Sequence, residues 1–210
     1  MGGVVRYIGK RRAMRRFFTL LFALAFALSA RAEGEEQLLR RVAEYVKVLG
    51  SYDAAVDVSA GDYKASGSYS VAGDSYYIKV GEAEVYADGK TRYEVDHSRK
   101  EVSIDIVDLE SRNALDNPTR CFDFVGEEYA SEIVKESDGK SIISLVSQDE
   151  DAEGEILLTV ESATGKPLSI AYILYDDRID ISIKSITPRK EAIPTFQKGA
   201  FKGYDMVDFR

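Results

Sequence analysis

The sequence predicts an antiparallel β fold of about a dozen strands curled around one N-terminal helix. Three observations carry this. From Lys64 to Val107 nearly every second residue is apolar. The only interruptions are Ala72-Gly73-Asp74, Gly81, Ala87-Asp88-Gly89-Lys90 and Asp96-His97-Ser98-Arg99. A period of two broken by short turn-forming clusters is the mark of strands with one dry face, joined by tight turns. The same pattern resumes from Tyr129 to Ile186, and only one stretch, near the start, has firm helical spacing. No catalytic constellation accompanies the meander, which points to a binding surface more than to an enzyme site.

Before the fold proper, the chain from Met14 reads MRRFFTLLFALAFALSARA. Arg15 and Arg16 are basic, Phe17 to Leu28 form an apolar run of 12 residues, and Ala30-Arg31-Ala32 offers small residues where a signal peptidase reads. The run is short for a membrane span. The expectation is a signal peptide over 1–32, cleaved after Ala32, with an uncleaved anchor as the alternative. Translation starts at Met1 or Met14. A single domain over 33–210 would remain.

The helix opens at Gly34-Glu35-Glu36-Gln37. Leu38, Leu39, Val42, Tyr45, Val46 and Leu49 recur at helical spacing, and Gly50 stops it. The predicted strands are Tyr52–Ser59, Tyr63–Val71, Ser75–Val80, Ala83–Ala87, Thr91–Asp96 and Lys100–Val107. Tyr69 and Val71 share a face, as do Tyr76, Ile78 and Val80, then Tyr93 and Val95, then Val102, Ile104 and Ile106. Ser68, Ser70, Lys79, Arg92, Glu94, Glu101, Ser103 and Asp105 alternate with them. Residues 108–126 break the period. Asp108 to Leu115 reads as a helical turn or two ended by Asn117-Pro118, and Phe122 and Phe124 are expected to lie over the sheet. The second meander comprises Tyr129–Glu136, Ser141–Val146, Glu155–Glu161, Leu168–Tyr175 and Ile179–Ile186. Pro188 and Pro194 open a looser segment flanked by Phe196 and Phe201, and a last short strand spans Tyr204 to Phe209.

Composition limits the function. Of 28 basic residues seven precede Glu33, so 21 remain against 36 acidic ones, a balance of −15 over 33–210. Phosphate contacts need lysine and arginine clusters, so a nucleic-acid partner is not expected. Anionic lipid surfaces would repel the domain. The acidic balance is read as a route to solubility, before docking on a basic partner. Cys121 is the only cysteine, so no internal disulfide can form, and a buried inert thiol is expected. The lone histidine, His97, sits in an Asp-His-Ser-Arg turn and is expected to be solvated. The acids Asp149-Glu150-Asp151 with Glu153, and Asp176-Asp177, lack the spaced ligands of a calcium loop and read as charged turns. No catalytic residue, metal or cofactor is expected.

Taken in order, the segments resemble the LolA family of periplasmic lipoprotein carriers, in a divergent branch. The resemblance rests on Gly67-Ser68-Tyr69-Ser70-Val71-Ala72-Gly73-Asp74-Ser75-Tyr76-Tyr77, on Val85-Tyr86-Ala87-Asp88-Gly89-Lys90-Thr91-Arg92-Tyr93-Glu94-Val95, on Asn117-Pro118 before an apolar cluster, and on the ending Tyr204-Asp205-Met206-Val207-Asp208-Phe209-Arg210. It implies an open, incomplete antiparallel β-barrel of the LolA/LolB half-barrel kind, covered by helices. It implies an exported monomer that shields the acyl chains of lipoproteins between inner and outer membrane. Partners would be acylated lipoproteins as cargo, an inner-membrane lipoprotein-releasing transporter and an outer-membrane acceptor. The implied lipid-binding cavity is lined by Tyr69, Val71, Tyr76, Ile78, Val85, Tyr93, Val95, Ile104, Phe122, Phe124, Ile170 and Tyr172. No anchor cysteine follows the leader, which favours a soluble carrier over the anchored acceptor. One departure stands out: the arginine that holds the lid in the family has no counterpart at Ala72-Gly73-Asp74. Two other readings stay open, a periplasmic sensor or scaffold of the same fold, and a secreted hydrolase using His97.

Overall fold

The computed structural model describes residues 34–149 and 152–210. The expected leader and its cleavage point, and Glu150 and Asp151 of the acidic turn, lie outside these residues.

Helix α1 (34–49) has the expected apolar stripe. Leu38, Leu39 and Val42 are buried, with Tyr45, Val46 and Leu49 packed beside them. Gly50 ends it in the left-handed conformation (φ +65°) that a side chain disfavours. Six strands follow: β1 (Tyr52–Ala60), β2 (Tyr63–Ala72), β3 (Ser75–Val80), β4 (Ala83–Ala87), β5 (Thr91–Asp96) and β6 (Glu101–Ile106). After an irregular segment, 107–128, come β7 (Tyr129–Ser137), β8 (Lys140–Ser147), β9 (Glu155–Glu161), β10 (Pro167–Leu174) and β11 (Asp177–Pro188), and later β12 (Asp205–Asp208). Predicted and observed strand ends differ by no more than two residues.

All strands join one sheet in the order β12-β6-β5-β4-β3-β2-β1-β11-β10-β9-β8-β7. Every neighbour pair is antiparallel except β12 with β6. The two edge strands do not pair, so the sheet is open. The first meander walks outward from β1 to β6. The second starts at the far edge with β7 and walks back until β11 pairs with β1. Residues 107–128 must therefore cross the whole sheet, and they do so on the side where α1 lies.

That inner side carries the main core. It draws buried side chains from α1, from 107–128 and from eight strands, β4 round to β8, with partly buried Tyr129 and Ile133 of β7 making the ninth. Laid flat, nine strands would span roughly 38 Å, while a helix with its side chains is about 10 Å wide. One helix and one loop can bury that wall only if the sheet curls round them. Gly165, in the β9–β10 turn at φ +73°, fixes where the helix sits: a Cβ there would stand 2.5 Å from the Arg41 carbonyl carbon.

Three expectations need correction. Coverage by helices is overstated: among the described residues α1 is the only α-helix, and the rest of the cover is irregular. Asp108 to Leu115 is not helical, and a single turn closes only at its end, where the Asn117 amide donates to the Asn113 carbonyl (2.8 Å). Earlier in the stretch the Asp108 carboxylate accepts the amides of Glu110 (2.9 Å) and Ser111 (3.2 Å), and the Asn113 side chain accepts that of Leu115 (2.9 Å). Side chains that capture nearby amides in this way compete with helix formation.

The third correction concerns which side the apolar residues face. Directly opposed residues of an antiparallel pair share a face. In the first meander each pairing joins an odd to an even position: Val71 with Tyr76, Tyr76 with Ala87, Ala87 with Arg92, Tyr93 with Ile104. To remain inside, the apolar set must change parity at every turn. It does so from Tyr69 and Val71 to Tyr76 and Ile78, then to Val85 and Ala87. At Asp88-Gly89-Lys90 it does not. Tyr93, Val95 and Ile104 therefore face outward, and Arg92 and Glu94 face inward. The outer apolar patch forms a second, separate core with Tyr86, Val102 and Phe201.

A strap formed by residues 189–204 covers that patch. Phe196 stacks on Tyr93 (centroids 4.1 Å apart, 5° between planes) and on Phe201 (5.3 Å, 2°). The strap is held at its start by Arg189, whose Nη1 donates to Asp53 (2.8 Å), and at its end by β12. His97 is not a freely solvated tip: its Nδ1 hydrogen-bonds the Tyr204 hydroxyl at 2.9 Å, and its Nε2 lies 3.6 Å from Glu84.

Candidate functional site

The inner wall is the candidate site. Strand periodicity puts Tyr52, Ala54, Val56 and Val58 of β1 on it, opposite Val71, Tyr69, Gly67 and Ala65 of β2. From the other meander Ile170 and Tyr172 face the same space through their partners Ile181 and Ile179. Of the twelve residues predicted to line one cavity, Tyr69, Val71, Tyr76, Ile78, Val85, Phe122, Phe124, Ile170 and Tyr172 come together here. Tyr93, Val95 and Ile104 belong to the outer core and do not.

The cover is 107–128. Its own Ala114, Cys121 and Phe124 are buried in the core, with Leu115, Phe122 and Val125 packed alongside. Its ties to the wall come from tyrosine hydroxyls reaching up to main-chain groups. Tyr172 donates to the Arg112 carbonyl (3.0 Å) and accepts the Ala114 amide (2.8 Å). Tyr76 donates to the Asp116 carbonyl (2.5 Å), and Tyr52 donates to the Pro118 carbonyl (3.4 Å). These hydroxyls tie the cover down.

Inside the cover, the Arg112 guanidinium organises the fold-back. Its Nε donates to the Asp123 carbonyl and its Nη1 to that of Glu110, both at 2.8 Å, and its Nη2 pairs with Glu128. Arg112 is only 6% exposed. Cys121 is buried, its thiol donating to the Pro118 carbonyl (3.3 Å), and burial pushes its pKa up, away from thiolate reactivity.

The electrostatics keep the wall neutral. Burial raises Tyr52, Tyr69 and Tyr172 above the ordinary tyrosine range. It pushes Tyr76 up to about 12, against the pull of neighbouring Arg92. All four therefore keep their protons near neutral pH. Burial also raises the Asp116 carboxyl, with Arg92 opposing it. Among the described residues, two buried side-chain polar atoms lack a hydrogen-bond partner, the Tyr69 hydroxyl and Arg92 Nε.

Side chains of the wall and the cover pack against each other here. Among the described residues a crevice between Tyr52, Tyr69, Ile170 and the cover's Cys121 and Phe122 has a volume of about 10 Å³, about enough for one water. Beside it opens a larger pocket of about 300 Å³. Its floor is Tyr129, Leu145, Ile156 and Tyr172, and its rim includes Arg112 and Asn113 of the cover and Glu153 and Glu155. Among the described residues no group of three or more His, Cys, Asp or Glu is placed to hold a metal.

Residues 25–173 match the family described as outer membrane lipoprotein carrier protein LolA. The chain belongs to that family. Comparison with the curated proteins gives no match. Among solved structures, this LolA-family chain is similar to an uncharacterized conserved protein from Thermus thermophilus, with 10% identity and a TM-score of 0.51, covering 82% of this chain and 97% of the other. It is also similar to a putative outer membrane lipoprotein-sorting protein domain from Vibrio parahaemolyticus (9% identity, TM-score 0.46, 81% and 97% covered). A third likeness is to the MucA/MucB complex structure from Pseudomonas aeruginosa (16% identity, TM-score 0.38, 80% and 60% covered). At such identities the likeness concerns fold alone, and the Thermus protein carries it.

Sequence reasoning missed Tyr52 and Arg112 as parts of the site. Tyr52 was within reach, because it opens the same period-two row as Ala54, Val56 and Val58. Arg112 was not, because nothing local marks an arginine that is buried only when its loop folds back on itself.

Proposed function

We propose that the protein is an exported carrier that shields the acyl chains of lipoproteins between the inner and outer membranes. The observation that carries this reading is the cover. In a chain of the LolA family, the apolar wall of an open sheet is closed by an irregular segment tied down by a few tyrosine hydroxyls. Cargo would displace 107–128 and take its place against Tyr69, Val71, Tyr76, Ile78, Val85, Ile170 and Tyr172, with Phe122 and Phe124 leaving the wall or packing over the chains.

The energetics fit such an exchange. Shielding a methylene from water is worth about 0.8 kcal/mol, so each long acyl chain supplies on the order of 10 kcal/mol toward displacing the cover. Release must also be possible, and a wall with few polar anchors favours it. In this reading the leader is removed after Ala32, an inner-membrane transporter hands cargo over, and an outer-membrane acceptor takes it on.

The test is to incubate the purified protein with inner-membrane spheroplasts and recover lipoprotein in a soluble complex. Failure to release lipoprotein, with no displacement of a fluorescent fatty acid, would remove the proposal. Lipid binding without lipoprotein release would assign the same wall to a sensor or scaffold. Intact mass of the exported protein checks the leader: a mass that retains Phe17 to Leu28 overturns cleavage.

A further inference from the structure

We propose that the inner wall reads the ester carbonyls of its lipid, through the hydroxyls of Tyr69, Tyr52, Tyr76 and Tyr172. The inference rests on the carrier reading and narrows its cargo to acyl esters.

Three of these hydroxyls already hold carbonyl oxygens in the closed protein, those of Pro118, Asp116 and Arg112. A peptide carbonyl and an ester carbonyl present the same kind of acceptor, a neutral sp² oxygen. Once the cover lifts, the hydroxyls lose those partners. Left facing hydrocarbon, each would bear the cost of an unpaired polar group in an apolar space.

Tyr69 strengthens the case. It is 4% exposed, and its hydroxyl has no partner even in the closed protein. It borders the residual crevice beside Tyr52, Cys121 and Phe122. A buried hydroxyl without a partner is destabilising, and a ligand acceptor would relieve it.

The positions cluster. Tyr52, Val71 and Tyr76 form one row across β1, β2 and β3, and Tyr69 sits two residues along β2 from that row, opposite Ala54. With strands about 4.8 Å apart and about 7 Å between alternate residues, the three tyrosines occupy one patch roughly 10 Å wide. The two ester carbonyls of a diacylglyceryl group lie close enough together to share such a patch. Tyr172 stands apart, bordering the open pocket.

An ionised fatty acid fits less well. The four hydroxyls are neutral donors, and at the rim the Arg112 guanidinium is already engaged with Asp123, Glu110 and Glu128. Arg92 pairs with Glu94 through Nη1 at 2.7 Å, and only its buried Nε is left without a partner.

The test is competition against a bound fluorescent acyl probe. A diacylglyceryl-cysteine lipopeptide and a diacyl phospholipid are each compared with the dialkyl ether analogue of equal chain length. In the wild type the ester form is expected to displace the probe at a concentration about threefold to tenfold lower per hydroxyl engaged. Preference in either pair supports the proposal and tells which lipid supplies the ester. Tyr69→Phe should reduce the ester-to-ether ratio about threefold or more. Because it removes an unpaired hydroxyl, it should leave the melting temperature equal or higher. Tyr52→Phe should act in the same direction, and the exposed Tyr175→Phe should not. Equal binding of ester and ether by the wild type, or a ratio unmoved by Tyr69→Phe and Tyr52→Phe together, overturns the inference while the carrier reading stands. If the probe does not bind, or no lipid displaces it, the carrier reading itself fails.

Discussion

Two segments of this chain cover apolar sheet surface, and they are built differently. On the inner side, 107–128 adds no strand. It meets the wall through buried apolar side chains and hydroxyl bonds to its own main chain. On the outer side, 189–204 stacks aromatic rings on Tyr93 and then continues into β12, which is hydrogen-bonded into the sheet. A hydrogen bond is worth about 1 kcal/mol net, whereas a buried aromatic side chain is worth several. The inner cover is held by a few hydroxyl bonds and by buried side chains such as Phe124, whereas the outer strap is also joined to the sheet itself through β12.

The largest effect should come from disturbing what seats the inner core. Gly165→Ala would place a Cβ 2.5 Å from the Arg41 backbone at a left-handed φ. Strain and overpacking together are expected to cost about 4 kcal/mol by chemical denaturation. A loss below about 1 kcal/mol would mean that α1 does not depend on that contact. Next is the strap. Phe201→Ala should cost about 3 kcal/mol and should speed amide exchange around Tyr204 while leaving 107–128 as it was.

Tyr76→Phe should be milder, about 1 kcal/mol. Amide exchange at Asn117 and Cys121 is expected to rise about fivefold, with no change in β12. If β12 exchanges faster as well, the two covers are coupled and the contrast between them is wrong.

The smallest effect separates the two regions by the sign of their pH dependence. Burial holds the Asp116 carboxyl above its usual 3.8. The closed form therefore binds that proton more tightly, so this term favours closure at low pH and fades as pH rises through the raised value. Asp96, in the β5–β6 turn that carries His97, is held down to about 2 by bonds from Ser98 and Arg99. Its contribution is present above 3.8 and lost as pH falls through about 2. Carboxyl-carbon NMR titrations should place Asp116 above 3.8 and Asp96 near 2, and Tyr76→Phe should move only Asp116 back toward 3.8.

Much of this architecture was legible residue by residue. The alternation in β1 to β6 and β7 to β11, the helix stripe from Leu38 to Leu49 and the turn glycines are local properties, set by backbone geometry and by which side chains tolerate water. The lining of the site was legible only in part. Tyr69, Tyr76 and Tyr172 could be read from period two. The outward turn of Tyr93, Val95 and Ile104 was encoded in the parity across Asp88-Gly89-Lys90, but using it requires knowing which residue pairs with which.

The sequence by itself determined the strands, their dry faces, the helix and the family pattern, because hydrophobic periodicity and turn chemistry act over a few residues. Only the tertiary structure decided that one sheet carries two apolar faces, that 107–128 lies across the inner one, and that tyrosine hydroxyls tie it down. Those outcomes depend on strand order and on contacts between residues such as Tyr76 and Asp116, or Tyr172 and Arg112, which lie 40 and 60 positions apart in the chain. No local pattern holds that information, because it comes into being only when the second meander returns and β11 pairs with β1.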